Sequence, residues 1–287
     1  MPNSESISVK HVPVRKVKGI TSADVADILS VEEPLEIRIC YDGPGERTCK
    51  SISVTMRTPG NDLELAIGFL FTEGIISSLR DVNKSYHTTA ECISQKSNTV
   101  QVELAAGFTP QLMHSDRNFY TTSSCGVCGK GSIQSIRTVS AFQHTERPGA
   151  KMDANIFYRL PRKMRAAQNG FSATGGIHAC GLFTLKGDLV LLREDVGRHN
   201  ALDKLIGASL VDQTLPLSDH ILILSGRASF ELIQKAAMSG IPVVAAIGAP
   251  SSLAVELATE FDITLLGFLS DERFNVYHSG KRVSIQT

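Results

Sequence analysis

The sequence predicts an α/β protein in two unequal parts. A small α+β unit comes first, and a larger unit with a mainly parallel sheet flanked by helices follows. Three observations carry this. After residue 150, short strands that are apolar throughout, such as HILIL and VVAAI, alternate with helical stretches. Such strands belong to a parallel sheet covered on both faces. Before residue 105 the strands instead alternate apolar and polar residues, the pattern of a half-exposed sheet. Between the two lies TTSSCGVCGKGS, residues 121–132, which has almost no large apolar side chain and should pack little.

Taken in order, residues 1–18 carry Lys10, Arg15, Lys16 and Lys18 and read as a basic, flexible arm. Residues 19–145 form the small α+β domain. Leu35, Ile37 and Ile39 mark a strand, SISVTMRT marks its partner, and the turn-rich DGPGERTCK joins them as a long loop. Asn61 followed by Glu64 predicts a capping-box start. Leu63, Ala66, Ile67 and Leu70 make a helical stripe, and Gly74 a stop. TVQVELA is a further strand.

Residues 146–287 form the larger domain. DANIFYRLPRKMRAAQN is helical around its Pro, with Gly170 after it. HACGLFTL and LVLLRE flank a KGD turn as a hairpin. HNALDKLIGASL, SFELIQKAAMSG and SSLAVELATEF are helices between the apolar strands HILIL, VVAAI and ITLLGFL.

Composition narrows the function. Lys+Arg and Asp+Glu both number 29, so no excess positive field draws the chain to nucleic acid or a membrane surface. No apolar run of about 18 residues is present, and the opening residues lack a signal-peptide pattern. A cytoplasmic protein is expected. Its 6 cysteines then read as chemical or buried rather than disulfide-forming.

The sharpest chemical feature is Ser124-Cys125-Gly126-Val127-Cys128-Gly129. Two thiols three apart can ligate a metal, cycle as a dithiol, or carry sulfur as a persulfide. Zinc wants four ligands, and no second CxxC exists. A zinc deaminase needs a general acid/base Glu two residues after its His, and Cys180 stands there after His178. No metal site is therefore expected. A dithiol oxidoreductase would place CxxC at the start of a helix, and Lys130-Gly131-Ser132 begins one poorly. A persulfide carrier needs reach and a stabilised thiolate, which Gly126, Gly129, Gly131 and Lys130 favour.

The candidate binding residues fall at strand-to-helix turns, where ligands bind in open α/β sheets. Ser225 and Arg227 follow HILIL. Asp195, Arg198 and His199 follow LVLLRE, with Asp195 or Asp203 able to accept the N–H donors of a guanine edge. Gly175, Gly176 and His178 precede HACGLFTL. Phe268, Leu269, Ser270, Asp271, Glu272 and Arg273 follow ITLL. Helix N-termini and arginine forks suit phosphate.

Together SCGVCG, TGGIHA, EDVGRHNALDK and SFELIQKA resemble the FdhD family of formate dehydrogenase accessory sulfurtransferases, from about residue 30 to the end. The resemblance implies a cytidine-deaminase-like second domain without zinc chemistry, and a homodimer. It implies that Cys125 takes sulfur from a cysteine desulfurase, while Cys128, three residues on, could receive, protect or displace the carried sulfur. The sulfur would then pass to the molybdenum of a bound bis(molybdopterin guanine dinucleotide), which activates the formate dehydrogenase catalytic subunit. The stretch from Phe268 to Arg273 would hold that cofactor, and GDP would bind as its fragment. Two rival readings remain: a chaperone that holds the cofactor without covalent transfer, and a thiol–disulfide oxidoreductase.

Overall fold

The computed structural model describes residues 8–43, 45–88, 98–110, 112, 142 and 151–284. Cys125, Cys128 and the whole 121–132 segment lie outside the described residues.

The chain opens with an antiparallel hairpin of β1 (Val9–Lys18) and β2 (Thr21–Ser30), paired over ten positions and turning at Gly19, φ 59°. The basic arm expected over residues 1–18 is thus a strand from Val9 onward. Two of its four cations are matched across the hairpin, Arg15 bonding Asp24 at 2.7 Å and Lys16 facing Asp27 at 3.8 Å. Charge density in one segment concealed its pairing with the next.

β3 (Glu33–Asp42), β4 (Arg47–Arg57), β5 (Val82–His87) and β6 (Thr99–Leu104) form a four-stranded sheet in the order β4-β3-β6-β5. The β3–β4 connection is shorter than expected, because β4 starts at Arg47. Cys40 and Cys49 are direct cross-strand partners and form a disulfide. That corrects the expectation that no cysteine would staple the chain. Alternation along β3 turns Leu35, Ile37 and Ile39 inward onto α1 (Asp62–Thr72). Asn61 starts this helix in the left-handed region, φ 58°, with no side-chain cap, so the anticipated capping box is absent. Gly74, φ 72°, ends it.

The second half holds a six-stranded sheet made of β8 (His178–Thr184), β9 (Leu189–Asp195), β10 (His220–Leu224), β11 (Val243–Ala246), β12 (Thr264–Gly267) and β13 (Asn275–His278). Their order is β13-β12-β11-β10-β8-β9. The central trio β10, β11 and β12 is parallel, but β8 and β13 run antiparallel to their neighbours, so the sheet is mixed rather than mainly parallel as expected, because the β8–β9 hairpin and β13 flank the trio in the opposite sense. Two short strands, β7 (Met152–Asp153) and β14 (Val283–Ser284), pair separately. The helices are α2 (Ala154–Phe157), α3 (Leu160–Ala167), α4 (Asn169–Thr174), α5 (Arg198–Val211), α6 (Phe230–Met238) and α7 (Ser252–Glu260). Gly170 lies within α4 rather than ending the preceding helical stretch.

Both faces of this sheet are covered, which is why its central strands are apolar throughout. Leu222, Leu224, Val244 and Ala246 face a core shared with α5, α6, α7, α1 and the first sheet. Ile221, Ile223, Val243 and Ala245 face a second core with Phe157, Leu160 and Met164. The halves meet where α1 crosses α5. A Cβ on Gly68 would lie 1.9 Å from the Asp203 carbonyl oxygen, and one on Gly207 would lie 1.9 Å from that of Glu64. Only glycine permits this approach.

Candidate functional site

Strand directions gather the sequence-predicted residues at one edge. β8 runs against β10, so its first residues lie beside the carboxyl end of β10, with Cys180 opposite Leu224. β9 runs against β8 and places Asp195 opposite His178. The start of β8 and the carboxyl ends of β9, β10, β11 and β12 therefore share an edge. It carries His178, Arg198, His199, Ser225, Arg227 and the 268–273 loop.

Backbone contacts knit the turns together. Gly248 N donates to Gly226 O at 3.0 Å, and Phe268 N donates to Gly248 O at 3.1 Å. A Cβ on Gly248 would press within 3.0 Å of the Gly226 carbonyl carbon. Phe268 adopts φ 54°, rare for a bulky residue, and its ring is exposed. Such strain collects at functional sites. Leu269 differs from its neighbours, being buried in the second core. The Ser270 hydroxyl accepts from Arg273 N at 3.1 Å and closes the loop, leaving Asp271, Glu272 and Arg273 exposed.

The edge carries groups of both signs, with Glu231, Asp271 and Glu272 beside its cations. Arg227 is exposed, and the N-terminal turns of α5 and α6 carry no side-chain cap. Both histidines are neutral at pH 7. Burial, aided by the Lys235 and Arg198 cations, pushes His199 down to about 3. Burial and Arg198 also lower His178, with Asp195 opposing them. His199 Nε2 lies 3.2 Å from Ser229 Oγ and 3.8 Å from Glu231 Oε2. Both approach the same ring nitrogen. A hydrolase relay instead needs its carboxylate and hydroxyl on opposite nitrogens.

Other predicted residues do not face the edge. Asp195 is fully buried. Its oxygens meet Lys204 Nζ at 2.7 Å, Thr58 N at 3.1 Å, Gly197 N at 2.8 Å and Asn200 Nδ2 at 3.2 Å. Asp203 is likewise engaged, by Lys235 Nζ at 2.9 Å and Thr72 Oγ1 at 2.8 Å. Burial disfavours the Lys235 charge, but Asp203 and Glu73 outweigh it and raise the Lys235 pKa. Reading either aspartate as a guanine acceptor is corrected, because both tie the helices to the first half. Gly175, φ 70°, caps the end of α4, whereas Gly176 is exposed. Cys180 is buried, and burial pushes its thiol pKa far up, so it is inert. Among the described residues, no cluster of three or more His, Cys, Asp or Glu side chains could hold a metal.

The sequence reading quoted Ser229 and Glu231 within SFELIQKA but gave them no site role, and it missed Thr58. The first two had a signal, a Ser-x-Glu at a helix start after a turn already singled out. Thr58 had none, since it reaches Asp195 from 137 positions away.

A model of the FdhD/NarQ family matches residues 30–284. The chain belongs to the FdhD/NarQ family. Its relatives include the sulfur carrier protein FdhD of Streptomyces coelicolor, 46% identical over 95% of both chains. That of Mycolicibacterium paratuberculosis is 47% identical over 94% of this chain and 97% of the relative. That of Sulfurisphaera tokodaii is 40% identical over 96% and 100%. A protein from Desulfotalea psychrophila described as a formate dehydrogenase accessory protein shares the fold, with a TM-score of 0.68 at 20% identity. The match covers 96% of this chain and 99% of that one. Family membership agrees with the resemblance drawn from the motifs. No helix among the described residues is long and apolar enough to cross a membrane.

Proposed function

We propose that this chain is a sulfur carrier that serves formate dehydrogenase. The observation that carries the reading is the near-full-length similarity to relatives named sulfur carrier protein FdhD. The Ser-Cys-Gly-Val-Cys-Gly string supplies the chemistry. Cys125 thiolate attacks the terminal sulfur of a cysteine desulfurase persulfide. The donor S–S bond breaks, the donor cysteine leaves as thiolate, and Cys125 holds the sulfur as a persulfide. Delivery as sulfide needs two electrons. Cys128 thiolate supplies them by attacking Cys125 Sγ, and the terminal sulfur departs to molybdenum. The disulfide left behind is reopened by a thiol reductant.

The substrate is molybdenum bis(molybdopterin guanine dinucleotide), whose anionic phosphates suit the arginines and helix N-termini of the sheet edge. Arg227, Arg273 and the Phe268 loop are the contacts in this reading, with GDP as the fragment ligand. A deaminase-like second domain used for binding alone, a cytoplasmic location and a homodimer complete the proposal.

The test is peptide mass spectrometry after incubation with a cysteine desulfurase and cysteine. A gain of one sulfur on the Cys125 peptide, reversed by reductant and absent in Cys125→Ala, is expected. A Cys125–Cys128 disulfide with no added sulfur would move the reading to thiol–disulfide exchange. No covalent change, with formate dehydrogenase still activated, would leave a cofactor-holding chaperone.

A further inference from the structure

His178 opens β8, and Ser225 follows the last residue of β10, so the antiparallel register sets them side by side at the edge. Ser225 N donates to Ala179 O at 3.0 Å, and Ala179 N donates to Ser225 Oγ at 2.9 Å. These two contacts extend the ladder one step and fix the hydroxyl. A serine hydroxyl has one hydrogen to donate. Ala179 N takes one of the hydroxyl's two acceptor lone pairs, and the hydroxyl hydrogen can turn toward the other neighbour, His178 Nδ1 at 3.4 Å. The imidazole also lies 3.4 Å from the position a Cβ would take on Gly226, so the ring packs closely on that turn. Arg198 and Asp195 are the charged groups that act on it.

We propose that Ser225 is a positioning residue: its hydroxyl donates to His178 Nδ1 and holds the ring in the tautomer with its proton on Nε2. His178 then offers one N–H donor to an anionic ligand oxygen at this edge, and its Nδ1 is blocked as a base. The donor role rests on the edge being the nucleotide-binding site; the tautomer assignment does not.

The experiment is long-range 1H–15N NMR of the imidazoles in the full-length protein, paired with calorimetry of GDP binding. In the wild type, His178 Nε2 should show the shift of a protonated nitrogen and Nδ1 that of a bare one. Ser225→Ala should give a tautomer mixture and a His178 pKa closer to the ordinary value, since a donor to the neutral form is gone. Ser225→Thr, which keeps the hydroxyl, should restore both. GDP affinity should fall about tenfold in Ser225→Ala, the scale of one hydrogen bond, and recover in Ser225→Thr. A proton on Nδ1 in the wild type, or an unchanged tautomer in Ser225→Ala, overturns the positioning role. A changed tautomer with unchanged GDP affinity overturns the donor role. Wild-type protein that binds no GDP overturns the nucleotide reading of the edge, while the tautomer result stands apart from it.

Discussion

Gly207→Ala tests the junction between the halves. In solvent-exposed helix, Gly→Ala stabilises by about 1 kcal/mol, because alanine loses less backbone freedom on folding. Here the new methyl would sit 1.9 Å from the Glu64 carbonyl oxygen and 2.9 Å from Gly68 N. An ordinary carbon–oxygen contact is roughly 3.4 Å, so α1 and α5 would have to part by about 1.5 Å. Neither obstacle is a side chain that can swing away. Overpacking of this kind costs about 1–3 kcal/mol. Parting the helices would also stretch the buried Thr72–Asp203 hydrogen bond, now 2.8 Å. The upper end of the range, about 3 kcal/mol, is therefore expected, or some 6–12 °C in Tm for a chain of this size. Guanidinium unfolding of the full chain measures it. Gly176→Ala, where a Cβ meets nothing nearer than 4.0 Å, is the control and should be nearly neutral. Adding Gly68→Ala to Gly207→Ala should cost less than the sum, because one separation relieves both clashes. A neutral or stabilising Gly207→Ala would refute the close crossing.

Lys204→Met should destabilise by about 3–5 kcal/mol at pH 7, because it leaves Asp195 buried without its cation; urea unfolding reads this directly. His199, held at about 3, takes up its proton mainly in the unfolded state, so stability should fall as pH drops below 6.5. Its share of the slope is about 1.4 kcal/mol per pH unit down to pH ~3, and His199→Gln should flatten a pH series of unfolding curves by that amount. GDP should raise the Tm of the wild type and raise it less in Arg227→Glu and Arg273→Glu, as followed by differential scanning fluorimetry.

Strand and helix positions in the second half were legible because each central strand is buried on both faces and each helix ends at a polar turn. The direction of β8 was not, since a hairpin can join a parallel sheet on either side. At the edge, Ser225, Arg227 and His178 were legible from turn chemistry. Asp195 and Asp203 were misread because their partners lie elsewhere in the chain. Thr72 meets Asp203 across 131 positions, and no local pattern announces that contact. The same blindness turned the charges of β1 into a loose arm, when Arg15 was already matched by Asp24 nine residues on.

The Cys40–Cys49 bond has a practical bearing on any labelling of this protein with sulfur. Of the 6 thiol positions in the chain, two are tied to each other and Cys180 is enclosed in the core. A native sample exposed to a persulfide donor or an alkylating reagent thus offers at most three addresses: Cys92, Cys125 and Cys128. Sulfur recovered on a peptide containing Cys180 would report unfolded material, which makes that residue an internal gauge of sample integrity.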